Sequence, residues 1–236
     1  MADLRVILWD IDGTLLHSRR HGAFRDYMTP AMLRVFGTAG RLDELVVSGM
    51  TDLQIFTEAL HGEGFTAERV RERLPELIPF FLEGMERMAG EGELFRALPG
   101  TREALEATER EPRYLNSLLT GNVEPAARLK LRLVGLEEFF RLPGAFGDLS
   151  HDRRDLPAVA RERISRHLNQ DLNPDQLIVI GDTPNDIACA RHFGARAVAV
   201  ATGRGHTTDE LLRYDPDAVL QDLTDTELLL RTLAAL

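Results

Sequence analysis

Acidic and hydroxyl side chains recur at the ends of three short apolar runs in this 236-residue sequence. Asp10 and Asp12 follow the run VILW, Thr120 ends the run YLNSLLT, and Asp182 follows LIVIG, with Asp186 four residues further on. Carboxylates crowded into one place repel one another unless a cation lies between them. Mg²⁺ takes oxygen ligands and commonly binds through one or two carboxylates together with phosphate oxygens. The pattern therefore indicates a Mg²⁺ site that handles a phosphorylated substrate.

The turn after the second apolar run supplies groups that bind phosphate. The hydroxyl of Thr120 and the backbone N–H groups around Gly121 and Asn122 can donate hydrogen bonds to an anion. A guanidinium would add positive charge, and Arg153 and Arg154 stand together just ahead of a predicted helix. A metal ion, a base and a carboxylate nucleophile together describe phosphoryl transfer through an aspartyl phosphate.

Five apolar runs are predicted to be the strands that position these residues. None of them alternates apolar and polar residues, which is typical of strands covered on both faces in a parallel sheet. The runs cover residues 5–10, 113–120, 177–182, 196–202 and 217–223. Helical spacing is found over 124–140, 156–168 and 185–194, and Gly194 is placed to end the last of these helices. The alternation predicts an α/β fold with a doubly wound, Rossmann-like parallel sheet, which binds ligands at the carboxyl ends of its strands.

The segment between the first two strands is too long for an ordinary crossover. Residues 17–94 contain helical patterns and no comparable apolar run, whereas a crossover between parallel strands needs little more than one helix. We therefore predict an all-helical cap domain over 17–94, inserted into a core domain that comprises 1–16 and 95–236. The PGT sequence at 99–101 is expected to open the helix that returns to the sheet.

Composition excludes several function classes. The formal net charge of -10 argues against a nucleic-acid partner, which would require a basic surface. No apolar run approaches the roughly 18 residues of a membrane span, and no signal segment is evident, so no membrane partner and a cytoplasmic location are expected. Cys189 is the only cysteine, which excludes an internal disulfide. We expect a monomer or small homo-oligomer whose partner is a small phosphorylated metabolite.

Four short motifs resemble those of a known family. DIDGT, LLTGN, an arginine ahead of a helix and GDTPND occur in the order and at the spacing of the four motifs of the haloacid dehalogenase-like (HAD) hydrolase superfamily. The helical insert after the first motif resembles the C1 cap of subfamily I. The resemblance spans essentially the whole chain, and its layout is most similar to the phosphoglycolate phosphatase-like and β-phosphoglucomutase-like branch.

The resemblance implies a role for each motif residue. Asp10 would be the nucleophile that becomes phosphorylated and a ligand of Mg²⁺. Asp12 would protonate the leaving group and then activate water, while its backbone carbonyl binds the metal ion. Thr120 would bind the transferring phosphoryl group. Asp182 would ligate the metal directly, and Asp186 would act through water or orient the basic residue.

Further residues near these motifs are expected to contact the substrate. The cap loop SGMTD, which faces the active site in relatives, contributes Gly49 and Thr51. The rest of the predicted substrate-binding set comes from the motifs and comprises Gly13, Thr14, Thr120, Gly121, Asn122 and Arg153.

The third motif departs from the family pattern. The family usually has a lysine there, whereas this sequence has HDRRDLP. Arg153 has the better offset from the following helix and is the preferred replacement, with Arg154 as the alternative. Lys130, the only lysine of the chain, is a third candidate, although it lies in a helical pattern after the second motif.

Among the reactions of the family, the sequence favours phosphoryl transfer. A dehalogenase does not need the second acid, Asp12, and a phosphonoacetaldehyde-type hydrolase needs a cap lysine that this chain lacks. We therefore predict a Mg²⁺-dependent phosphatase for a small phosphomonoester, such as phosphoglycolate or a related metabolite. The alternatives are a β-phosphoglucomutase-like sugar phosphomutase and a non-catalytic, phosphate-binding regulatory protein.

Overall fold

The computed structural model describes residues 4–236, and the five predicted strands form one parallel sheet in it. Two further short strands form a separate antiparallel pair. In chain order the strands are β1 (Arg5–Trp9), β2 (Leu16–Ser18), β3 (Phe95–Ala97), β4 (Tyr114–Leu118), β5 (Leu177–Gly181), β6 (Arg196–Val200) and β7 (Ala218–Leu220). The large sheet has the order β4-β1-β5-β6-β7. The predicted α/β fold is thereby confirmed.

The register of the sheet aligns the three strand ends that carry the motif residues. β1 lies between β4 and β5 and is parallel to both. Trp9 at the end of β1 pairs with Leu118 on one side and with Ile180 on the other. Because the three strands end at the same level, the residues that follow them meet at one edge of the sheet.

Nine α-helices are found among residues 4–236. They are α1 (Phe24–Phe36), α2 (Asp52–Ala59), α3 (Ala67–Glu91), α4 (Thr101–Arg110), α5 (Glu124–Leu133), α6 (Leu156–Leu168), α7 (Pro184–Phe193), α8 (Thr208–Leu212) and α9 (Thr226–Ala235). None of these helices is both long and apolar enough to cross a membrane.

Of the three predicted helices, one has the predicted bounds, one is shifted by a single residue, and one is shorter than predicted. α6 has the predicted bounds, and α7 ends at Phe193 with Gly194 as its C-cap, whose φ of 83° is the left-handed conformation that glycine adopts readily. The helix expected over 124–140 stops at Leu133, because Gly135 has a φ of 69° and the chain turns there. A separate short 3-10 turn covers Glu137–Phe139.

The long insert contains α1, α2 and α3 and is bounded by the pair β2–β3. His17 pairs with Arg96 at the centre of this antiparallel ribbon. Neither strand is evident from the sequence, because three residues are too few to show a periodicity. The division into a core and a cap at residues 17 and 94 stays a prediction.

Two buried clusters cover the two faces of the large sheet. One contains Val6, Leu8 and their neighbours on β5 and β6. The other joins Ile7 and Trp9 to the helices of the insert in one continuous apolar core. Within the insert, the rings of Tyr27 and Phe81 pack with centroids 5.2 Å apart. The insert is therefore packed against the core of the protein in this structure.

Candidate active site

The three aligned strand ends bring residues of the first, second and fourth motifs together. The sheet ladder continues one residue past each strand, since Asp10 N donates to the carbonyl oxygen of Ile180 (2.9 Å) and Leu119 N donates to that of Trp9 (2.9 Å). Asp10 is thereby fixed beside the end of β5, and Leu119 carries the adjacent Thr120, whose own N–H donates to the carbonyl oxygen of Ala145 (3.1 Å). These backbone bonds hold the two residues in place without using their side chains.

Asp10, Asp182 and Asp186 form a buried acidic cluster, in which one carboxylate oxygen of each lies within 4.8 Å of the others. Asp186 reaches the cluster from the first turn of α7. Its Oδ2 accepts hydrogen bonds from the backbone N–H (3.0 Å) and the hydroxyl (2.6 Å) of Thr183, the N-cap residue of that helix. This capping box explains why an acid at this position is held rigidly.

The cluster carries more negative charge than its surroundings neutralise. Burial raises the pKa of Asp10 to about 7, although the neighbouring Arg153 lowers it. Burial also raises the pKa of Asp182 well above its usual range, and the charges of Asp10 and Asp186 add to this effect. A hard divalent cation that takes oxygen ligands would relieve this repulsion, so the donor set fits Mg²⁺.

Glycine and threonine residues enclose Asp182. Gly13 has a φ of 94°, and a Cβ on Gly13 or on Gly203 would overlap the Asp182 carboxylate. Thr14 is completely buried, and its hydroxyl donates to Asp182 Oδ1 (3.3 Å). Gly13 thus serves both the turn after β1 and the close approach of the acid, while the Thr14 hydroxyl supports a carboxylate. Contact of either residue with substrate stays a prediction.

Arg153 is the cation inside the acidic cluster. It lies in the 3-10 turn Arg153–Asp155 ahead of α6, and its Nη2 contacts Asp10 Oδ1 (2.9 Å) and Asp186 Oδ1. Burial alone would lower the pKa of Arg153, but the charges of Asp186 and Asp10 raise it, so the guanidinium is charged. Its Nε is buried and has no hydrogen-bond partner among the described residues, whereas its Nη1 faces Gly121, 3.3 Å from the place that a Cβ would take there.

The neighbouring arginine lies outside the cluster. The Arg154 side chain is 58% exposed, against 7% for Arg153, and its Nη2 pairs with Asp152 Oδ2 (2.6 Å) at the surface. Of the two arginines of the third motif, the structure therefore brings only Arg153 to the acids. Its role in place of the family's lysine stays a prediction.

The second-motif turn links the phosphate-binding candidates to Asp12. Asn122 Nδ2 lies 2.7 Å from Thr120 Oγ1 and 2.7 Å from Asp12 Oδ2. Gly121 faces the cap loop, and a Cβ there would overlap the carbonyl oxygen of Met50. The absence of a side chain at Gly121 thus permits the cap loop to approach the turn.

The cap loop touches the core at two of its predicted residues. Gly49 has a φ of 73°, and a Cβ there would lie 2.6 Å from Asn185 Nδ2 in the first turn of α7. The Thr51 hydroxyl caps α2 by accepting from Gln54 N (3.1 Å) and donates to the carbonyl oxygen of His151 (3.1 Å). The Thr51 hydroxyl is thus engaged in the cap–core contact, and substrate contacts of Gly49 and Thr51 stay predictions.

The positions of two further buried residues, Lys130 and Asp52, differ from what the sequence indicates. Lys130 does not enter the acidic cluster but lies beside the other motif acid, with its Nζ 2.6 Å from Asp12 Oδ2. Its spacing from Asn122 is no signal of this contact, because Asn122 precedes Val123, the N-cap residue of α5, and does not lie on the helix. Asp52, at the start of α2, is buried and accepts a hydrogen bond from Val123 N (2.8 Å). Burial raises the pKa of Asp52 to about 6, although the charge of Lys130 lowers it.

Both the sequence and the fold of this chain are similar to those of known proteins. The family model described as HAD-hydrolase-like matches residues 154–226. The pyrophosphatase PpaX of Halalkalibacterium halodurans is 23% identical over 233 residues, which cover 94% of this chain and 95% of that protein.

Two solved structures illustrate the similarity of fold. CbbY from Rhodobacter sphaeroides in complex with phosphate has a TM-score of 0.66 at 16% identity and covers 94% of this chain and 96% of its own. A predicted phosphoglycolate phosphatase from Haemophilus somnus has a TM-score of 0.62 at 19% identity, over 98% of this chain and 99% of its own.

Proposed function

We propose that this chain, which belongs to the HAD-like hydrolases, is a Mg²⁺-dependent phosphatase that acts on a small phosphomonoester. The observation that carries the proposal is the buried cluster of Asp10, Asp182 and Asp186 with the Arg153 guanidinium against it. A carboxylate nucleophile, a set of oxygen ligands for a cation and a fixed positive charge are the parts that phosphoryl transfer requires.

The reaction proceeds in two steps on Asp10. In the first, a carboxylate oxygen of Asp10 attacks phosphorus, the ester P–O bond breaks, and the leaving oxygen takes a proton from Asp12. In the second, water attacks the phosphoaspartate and gives a proton to Asp12, which releases inorganic phosphate and restores Asp10. Asp12 therefore serves as acid and then as base, as general acid–base catalysis requires.

The remaining residues hold the phosphoryl group and the cation. Arg153, Thr120 and the backbone around Gly121 would bind the phosphoryl oxygens. The ligands of Mg²⁺ would be the side chains of Asp10 and Asp182 and the backbone carbonyl of Asp12, with Asp186 acting through water or through Arg153. When bound, the cation neutralises negative charge on the phosphoryl group.

The substrate is a proposal at the level of a class. PpaX is named for pyrophosphate and one structural relative for phosphoglycolate, so both belong in the first panel of substrates. We retain phosphoglycolate or a related small phosphometabolite as the expected substrate. The cytoplasmic location and the monomeric or small homo-oligomeric state stay predictions.

The groups at the boundary of the insert favour a phosphatase over a sugar phosphomutase. A mutase needs basic residues in its cap for the second phosphate of a bisphosphate. Arg19 and Arg20 are exposed and pair with Glu93 and Asp26. The His17 ring donates to the carbonyl oxygen of Thr202 (2.8 Å). These candidates for a second phosphate site are therefore engaged elsewhere.

Phosphate release from para-nitrophenyl phosphate and from the substrate panel tests the proposal. We expect turnover with Mg²⁺, none with a chelator, and none in Asp10→Asn. Asp175→Asn changes an exposed acid in the turn that precedes β5, at the opposite end of this strand from Asp182, and as the control it should retain full activity. Isomerisation of a hexose phosphate in the presence of a bisphosphate would instead support the mutase. Binding of phosphate without any turnover would support the regulatory protein.

A further inference from the structure

Lys130 lies at the junction of the insert and the sheet, in contact with Asp12 instead of the acidic cluster. Its Nζ donates to Asp12 Oδ2 (2.6 Å) and to Asn122 Oδ1 (2.6 Å). It also lies 5.5 Å from the centroid of the Phe95 ring, in β3. The Lys130 side chain is 7% exposed, whereas that of Asp12 is 45% exposed. A buried, fully engaged cation thus holds a partly open carboxylate.

The two hydrogen bonds to Asp12 share one oxygen. Lys130 Nζ and Asn122 Nδ2 both donate to Oδ2, at 2.6 Å and 2.7 Å. Lys130 also binds Asn122, so the two donors brace each other. An oxygen that accepts two hydrogen bonds has little capacity to carry a proton, so the proton that Asp12 transfers is left to Oδ1. The contacts therefore determine both which oxygen of Asp12 carries the proton and how its carboxyl group is oriented.

We infer that Lys130 is a positioning residue, which fixes the Asp12 carboxyl group so that its Oδ1 meets the leaving oxygen of the substrate. The inference rests on the proposed phosphatase function. As Asp10 attacks phosphorus, the electrons of the ester P–O bond move to the leaving oxygen, and the proton on Asp12 Oδ1 moves to the same oxygen. Lys130 does not touch the reacting atoms and acts through Asp12.

Two aryl phosphates separate this role from a merely structural one. Dinitrophenolate is a weak base and leaves without a proton, whereas phenolate is a strong base and needs one. The value of kcat/KM reports the steps up to the first irreversible one, which includes loss of the leaving group. Lys130→Met should lower kcat/KM about 100-fold for phenyl phosphate, the order of loss expected from a misplaced catalytic group. Dinitrophenyl phosphate should retain most of its kcat/KM.

A matched control and a second background complete the test. Arg132→Met removes an exposed cation from the same helix, where Arg132 pairs with Glu137 (3.2 Å). This variant should leave kcat/KM unchanged for both aryl phosphates. In an Asp12→Asn background, Lys130→Met should cause no further loss with phenyl phosphate, because the residue through which it acts is already altered. Lys130→Gln keeps an N–H donor and should give a smaller loss with the same selectivity, which serves if the methionine variant does not fold.

The outcomes are distinguishable. Equal losses for both esters, or an additional loss in the Asp12→Asn background, would show that Lys130 supports only the structure and would overturn the inference. Turnover of neither ester by the unaltered chain would overturn the proposed function, and this inference with it.

Discussion

Removal of the Arg153 guanidinium is the sharpest perturbation that the site offers. Arg153 is the cation that contacts both Asp10 and Asp186, whose side chains are 7% and 2% exposed. In Arg153→Met these carboxylates remain buried and lose their partner. Breaking a buried ion pair from one side costs about 3–5 kcal/mol, because the remaining charge is left without compensation. For a chain of this size that corresponds to a fall in Tm of about 6–20 °C.

The measurement is thermal unfolding in the presence of a chelator, together with phosphate release in Mg²⁺. We expect Arg153→Met to lose stability and activity together. Arg153→Lys returns the residue that the family usually has, keeps one positive charge and should recover part of both. Mg²⁺ should restore some stability to Arg153→Met, because the cation replaces part of the missing charge.

Arg154→Met is the matched control, since it removes the adjacent arginine from an exposed surface pair with Asp152. Surface pairs contribute little to stability, so the Tm and the activity should stay close to those of the unaltered chain. Similar losses in the two variants would refute the reasoning, because they would show that the cluster does not depend on the buried guanidinium. Full activity of Arg153→Met would refute the assignment of Arg153 to the phosphoryl group.

Three further predictions follow from the same geometry. Asp182→Asn should raise the Tm measured with a chelator, because it removes one of three crowded carboxylates. It should also abolish the stabilisation by Mg²⁺, which in the unaltered chain is about 2.7 kcal/mol of unfolding free energy at a hundredfold excess over Kd. In the metal-free protein the free energy of unfolding should fall from about pH 5 to about pH 7. The reason is that Asp10 binds its proton more tightly in the folded state (pKa about 7) than in the unfolded state (pKa 3.8), and this stabilisation is lost as the pH rises. Urea unfolding at several pH values checks the sign, and Asp10→Asn should show a flatter pH dependence than the unaltered chain. Gly121→Ala should lower kcat/KM for an aryl phosphate by about 10–100-fold, because its Cβ would overlap the Met50 carbonyl and displace the cap loop, whereas Gly90→Ala, with open space around it, should not.

The parts of the site that follow from chain topology could be predicted from sequence. Asp10, Thr120 and Asp182 each come directly after an apolar run, and parallel strands place their carboxyl ends at one edge. The sequence therefore indicated which residues meet, although not their distances. The position of Arg153 relative to the start of α6 likewise favoured it over Arg154, because neighbouring residues ahead of a helix point their side chains in different directions.

The parts that depend on how the insert packs could not be predicted in the same way. Asp52 meets Val123 across the junction of the insert and the sheet, and no local pattern records that approach. From sequence, Lys130 is one polar residue in an amphipathic helix. Its burial results from contacts with residues that are distant in sequence, such as Phe95 in β3. β2 and β3 are defined by their pairing with each other, which three-residue strands do not reveal in sequence.

The two buried cations, Arg153 and Lys130, neutralise different acids, which a single lysine could not do here. The Arg153 guanidinium reaches Asp10 and Asp186 with Nη2, and its Nη1 faces Gly121 in the predicted phosphate-binding turn, so a second nitrogen is placed to bind a phosphoryl oxygen while the group neutralises the acids. An ammonium group offers one nitrogen and therefore one centre of contact. Lys130 uses that single centre for Asp12 and Asn122. Asp10 and Asp12, the proposed nucleophile and proton donor, thus each have their own cation, and a substitution of one cation should leave the position of the other acid unchanged.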